Sequence, residues 1–184
     1  AGAMSELGTA QRILLMRTGF VFLALFILFV HLLPLQTEPP VHFAPPDMLM
    51  LFAFAWAVRR PELVPSLLLA IIFLLADLLL QRPPGLWALL LLVSAERLKS
   101  QSLSLRDAGF FTEYLSVGAL IVAVFVGYRV ILGVMIVDLP PLGIWIVHML
   151  MTLICYPIAV FVTHWVMGIR KYAPGDLGPG GLSA

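Results

Sequence analysis

The chain alternates long apolar runs with short polar breaks, and the length of each run limits what it can form. Six runs stand out, at about residues 13–33, 48–58, 63–80, 86–95, 109–132 and 142–169. None shows the apolar–polar alternation of a half-buried strand, so helices are the predicted elements. A helix needs about 20 apolar residues to cross a hydrocarbon layer of ~30 Å. The first run, Gly19 to Leu33, reaches that length if it starts at Ile13 and Arg17 snorkels toward the headgroups. An amphipathic turn is expected before it, and Pro34 ends it. Runs two and four are short for a span and must be flanked, thinned around or buried among the others. The sixth carries Pro157, where a kink is expected.

The breaks divide the chain in order. A proline-dense loop, LQTEPPVHFAPPD, occupies residues 35–47, and its Pro45-Pro46-Asp47 end forms a helix start. Arg59-Arg60-Pro61 stops the second run, and Gln81-Arg82-Pro83-Pro84-Gly85 separates the third from the fourth. RLKSQSLSLRD, residues 97–107, is the most polar internal segment, and Asp138-Leu139-Pro140-Pro141 makes the last turn. The expected organisation is a cloning remnant and flexible amino terminus at 1–12, one six-helix transmembrane domain at 13–170, and a disordered Gly/Pro-rich cytoplasmic tail at 171–184. Since His31-Leu32-Leu33-Pro34 follows the first run, in place of a small-residue cleavage site, no cleavable signal peptide is expected.

Composition sharpens this reading. The chain is 61% hydrophobic and 11% charged, with a mean hydropathy of +1.04. Soluble domains are roughly a quarter charged, so the sequence reads as an all-α polytopic membrane protein. Net charge is +1 with no basic face, which gives no reason to expect nucleic acid. With Cys155 as the one cysteine and four scattered histidines, no disulfide framework or metal site is expected. Six crossings with the amino terminus inside place Arg12, Arg17, Arg59, Arg60, Arg97, Lys99, Arg106, Arg170 and Lys171 in the cytoplasm. Only Arg82 and Arg129 are then outside, so both termini are expected to be cytoplasmic. Re-entrant short helices would keep that orientation with fewer crossings.

Candidate chemistry begins with Asp77, a lone carboxylate in the apolar run Leu63–Leu80. Arg82, Arg129, Asp47 and Asp138 are expected at the same end. The favoured role for Asp77 is a polar clasp of the third helix to the fifth through Arg82 or Arg129; a ligand or proton site is the alternative. For His148, with Thr152 one turn on, an interhelical hydrogen bond is favoured over ligand binding. Ala119, Ala123 and Gly127 recur every fourth residue, as do Ala53 and Ala57, a spacing that lets helix backbones approach. Internal packing is favoured there, and docking of a partner's helix would use the same chemistry. Trp56, Trp87, Trp145 and Trp165 lie toward run ends, as interfacial anchors do. No nucleophile–base pair, phosphate loop or cofactor motif is present, so neither enzymatic activity nor a cofactor is expected.

Two stretches, PPDMLMLFAFAWAVRRPELVP (45–65) and LLADLLLQRPPGLWALLLL (74–92), together with the six-run layout, resemble the rod shape-determining protein MreD family over about residues 13–170. The resemblance implies a component of the bacterial inner membrane that takes part in cell-shape regulation and peptidoglycan synthesis. Its implied partners are MreC, the MreB filament, and the wall-synthesising glycosyltransferase and transpeptidase pair. It also implies a fold similar to the substrate-binding subunits of energy-coupling-factor transporters. The family carries no enzymatic residues, so Asp47, Arg59, Arg60, Asp77, Pro83, Pro84 and Gly85 become candidates for structural or partner-contact roles. A membrane scaffold binding MreC is the favoured function. The alternative is a subunit binding a small molecule or lipid intermediate, with an outer-facing pocket lined by Asp77, Arg129, His148 and Thr152.

Overall fold

The computed structural model describes residues 2–33, 45–107, 109–137 and 139–165, with the backbone alone for 2–10, 106 and 107. Among the described residues the chain forms six α-helices: α1 (Gly2–Leu32), α2 (Met48–Arg59), α3 (Ser66–Leu79), α4 (Leu86–Asp107), α5 (Phe110–Val134) and α6 (Leu142–Trp165). A 3-10 turn, Pro61–Leu63, links α2 to α3. Most of the proline-dense loop, Asp138, the end of the sixth run and the tail lie outside the described residues. So do Arg170 and Lys171.

Three stretches are long and apolar enough to cross a membrane: Gln11–Leu32, Phe110–Val134 and Leu142–Trp165. Large apolar side chains cover their outer faces, among them Phe22, Phe26, Phe29, Val126, Val130, Ile154 and Ile158. A water-soluble protein rarely shows so much contiguous apolar surface, and the bundle is consistent with a membrane protein.

The shortest α-helix is the centre of the bundle. α2 has 12 residues, about 18 Å at 1.5 Å per residue, and every side chain from Leu49 to Arg59 is buried. It packs against α1, α4 and α6. Of the options open to a short run, burial among neighbours is the one realised. Ala53 and Ala57 are wholly buried, so their small size does serve internal packing.

α1 runs antiparallel to α2, and α5 to α6, while α2 and α4 start at the same end of the bundle. Arg17 on α1 donates through Nε and Nη2 to the Glu62 carbonyl, at 3.2 and 2.7 Å, so it is tied to the 3-10 turn. Phe20 packs on Trp56 with ring centroids 4.9 Å apart. α5 and α6 meet at Gly118–Leu153, Phe125–His148 and Tyr128–Trp145. Pro157 lacks the N–H that would bond the Leu153 carbonyl, and the Tyr114 hydroxyl of α5 donates to that carbonyl at 3.4 Å.

Two elements are longer than expected. α4 does not stop near Ala95: its helix continues through the polar segment to Asp107, because Leu98, Ser102 and Leu105 recur on one face and are buried. α1 is continuous from Gly2, so the expected amphipathic turn is the start of the same helix. The tryptophans also depart from the anchor reading. Trp56 and Trp87 are buried in the core, Trp145 is partly buried, and Trp165 alone is mostly exposed.

Because α2 has no free face, Ala53→Leu should lower stability by about 1–3 kcal/mol through overpacking. Val126→Leu, on an outward face, should stay within about 0.5 kcal/mol of the parent. Thermal unfolding in detergent, followed by circular dichroism, checks both.

Candidate functional site

Charged and aromatic side chains collect at the two ends of α2. At its start, Asp47 caps the helix: its Oδ1 accepts from the Met50 N–H at 3.0 Å. Oδ2 accepts from Trp87 Nε1 at 3.2 Å and lies 3.5 Å from Arg82 Nη1. The Asp47 N–H donates to Thr152 Oγ1 at 3.2 Å, while that hydroxyl donates to the His148 carbonyl at 2.7 Å. One carboxylate thus joins α2, α4 and the α3–α4 turn, and its backbone adds α6. A negative group at a helix N-terminus also complements the helix dipole.

Asp77 does a related job for α4. It is fully buried, and its Oδ2 accepts from the Gly85 and Ala88 N–H groups, each at 3.0 Å. Those are the donors a helix start leaves unsatisfied. Pro83 and Pro84 have no N–H of their own. Gln81 at φ 54° and Gly85 at φ 89° turn the backbone through the left-handed region, and glycine does so without strain. The expected clasp from Asp77 to α5 is therefore corrected. Among the described residues no Arg or Lys nitrogen pairs with Asp77, and the carboxylate ties α3 to α4 by capping. Arg129 instead donates to the Pro140 carbonyl at 3.1 Å, with its guanidinium 5.9 Å from the Trp145 ring centre.

At the far end of α2, Arg59 Nη1 lies 2.6 Å from Glu113 Oε1 on α5, and the two side chains are 6% and 0% exposed. The Tyr156 hydroxyl of α6 donates to the same oxygen at 2.9 Å. Glu113 and Tyr156 were not among the candidates from sequence. The available signal was the lone carboxylate of Phe110-Phe111-Thr112-Glu113, which its nearness to the polar segment masks. Arg60, beside this group, is partly exposed and lies 3.4 Å from Glu62. Ser66 and Lys99 both donate to Glu96 nearby, at 2.6 and 2.7 Å.

An open cavity of about 360 Å³ lies at the Pro-Pro-Gly end, between the α3–α4 turn, α4, the end of α5 and the start of α6. Arg82, Trp87, Tyr128, Trp145 and His148 line it. Of the four residues expected to line an outer pocket, His148 does; Asp77, Arg129 and Thr152 do not. The His148 ring stands edge-on to Phe125, centroids 5.0 Å apart, and makes no side-chain hydrogen bond among the described residues. The expected interhelical bond comes from Thr152 and Asp47 instead.

The α5 small-residue stripe also departs from expectation. Ala119 and Ala123 are exposed and Gly127 is partly so, whereas the buried face of α5 runs through Val117, Ile121, Val124, Phe125, Tyr128 and Leu132. Steps of three or four residues link members of either set, so spacing alone does not choose between them. Comparison with protein-family models, curated proteins and solved structures returns no match.

Removing one partner of the buried pair, as in Arg59→Met or Glu113→Leu, should cost about 3–5 kcal/mol, and the double variant should recover most of it. Chemical unfolding of the three variants gives the coupling. For Asp77, capping predicts that Asp77→Ala loses about 1–2 kcal/mol while Asp77→Asn, which keeps an acceptor, loses clearly less. An ion-pair role would make the two equal in thermal unfolding.

Proposed function

We propose that the chain is a non-enzymatic, multi-pass scaffold of the MreD type in the bacterial inner membrane, with both termini cytoplasmic. In this reading it binds the membrane helix of MreC. Through MreC it supports MreB and the glycosyltransferase–transpeptidase pair in rod-shape determination and lateral peptidoglycan synthesis. The observation that carries the proposal is the outward face of α5, where Ala119 and Ala123 are exposed beside Val122 and Val126. Lipid gains little from contact with small residues, but a second helix gains close backbone approach and dispersion contacts. Six helices with three long apolar stretches, and the two motif stretches around α2 and the α3–α4 turn, agree with it. The orientation follows from the nine basic residues assigned to the Arg-Arg-Pro side. Likeness to the substrate-binding subunits of energy-coupling-factor transporters belongs to the same proposal.

Ala123→Leu adds bulk on the outward face without entering the core. It should reduce recovery of co-expressed MreC by about tenfold in a detergent pull-down while leaving the unfolding temperature unchanged. Full recovery of MreC with this variant and with Ala119→Leu would remove the α5 face from the proposal.

A further inference from the structure

The cavity at the Pro-Pro-Gly end has a chemistry that scaffolding does not use. Its volume of about 360 Å³ is within the ~300–1,000 Å³ of small-molecule sites, which pair apolar walls with a few polar groups. That is the liquid volume of about twelve waters. Two of its walls are flat: the Tyr128 and Trp145 rings are stacked, 12° apart in plane with centroids at 5.8 Å. Trp87 stands edge-on to both, at 84° and 75°.

Arg82 supplies the charge. Among the described residues lining the cavity, it is the one permanently ionised side chain, and none is acidic. Its guanidinium lies 5.0 Å from the Trp87 ring centre. Its contact with Asp47 is a single long one, at 3.5 Å, and Oδ2 of that carboxylate already accepts from Trp87 at 3.2 Å. A guanidinium carries five N–H donors in a fork that suits carboxylate or phosphate. Most of them have no partner among the described residues. Gln81 and His148 add further polar groups to the lining.

We infer that this cavity binds a planar aromatic anion, its ring against Trp145 and Tyr128 and its carboxylate or phosphate on Arg82. The ring supplies stacking and apolar contact, and the anion supplies charge-assisted hydrogen bonds in a partly dehydrated setting. Neither half alone uses both features of the site. The inference is independent of the scaffold reading, which rests on the outward face of α5.

The test is calorimetric titration of the full chain in phosphatidylcholine nanodiscs with 1-naphthyl phosphate. 1-Naphthol and inorganic phosphate serve as the two halves of the probe. Naphthyl phosphate should bind at one site per chain, at least about tenfold more tightly than either half. Arg82→Gln should weaken it by about tenfold or more. Ile144→Trp, which fills the cavity from α6 without touching the Asp47 contacts, should abolish binding while the unfolding temperature holds. Equal affinity for naphthol and naphthyl phosphate would overturn the anionic ligand. Undiminished binding to Ile144→Trp would overturn the location. Complete displacement by phosphatidylglycerol in the nanodisc would assign the site to a lipid headgroup and overturn the planar ligand.

Discussion

A helix with no exposed side must have its ends satisfied from within the protein, and α2 is such a helix. Its first turn presents unbonded N–H groups and its last turn unbonded carbonyls, and burial excludes water from most of both. Asp47 answers at one end, under the indole of Trp87 and the guanidinium of Arg82. Arg59 stands at the other, against Glu113 and Tyr156. Acid at the N-terminus and base at the C-terminus is the arrangement the helix dipole favours. The same six side chains reach α4, α5, α6 and the α3–α4 turn, so anchoring α2 also fixes where its neighbours stand. The bundle is organised from a short central rod outward.

This explains why ionisable residues concentrate where apolar surroundings make them costly. An isolated charge in hydrocarbon is expensive, but here the carboxylates of Asp47 and Asp77 stand in for missing solvent at helix starts, and Arg59 is paired with Glu113. Asp77 shows the rule in its plainest form, since its partners are two backbone N–H groups and not a cation. A carboxylate reaching across from α3 supplies what a local side chain supplies at most helix starts. The Pro-Pro-Gly turn makes the reach possible, because it brings the start of α4 back beside the last turn of α3. The clustered aromatics above it then line the open cavity.

Much of this was legible in the chain. The apolar runs gave the helices, and the breaks at Arg59-Arg60-Pro61 and Pro83-Pro84-Gly85 fell where the structure turns. Asp47 and Asp77 stood out because a carboxylate in or beside an apolar run demands a partner. Which partner it finds depends on how helices cross, and a linear pattern does not carry that. Hence the linear pattern does not reveal that Asp77 caps α4, or that Glu113, one turn inside its run, pairs with Arg59. The α5 stripe is ambiguous for a related reason. Ala119 and Ala123 share the helical period of Val117, Ile121 and Val124, and period alone does not say which face meets a neighbour. α4 outruns its apolar half because Leu98, Ser102 and Leu105 keep the rhythm of a buried helix face through the polar segment.

Pro157 gives α6 two lever arms. The arm before it carries Trp145 and His148 on the cavity wall and Tyr156 at its root, anchored to Glu113, while the arm beyond it is held by the buried Ala159, Val160 and Thr163. Between them the Leu153 carbonyl is restrained by the Tyr114 hydroxyl at 3.4 Å and by no backbone donor one turn on. Helices bend most readily where a proline removes such a bond, so any flexing of α6 would concentrate at that point. The molecule has a built-in elbow, and its latch belongs to the neighbouring helix.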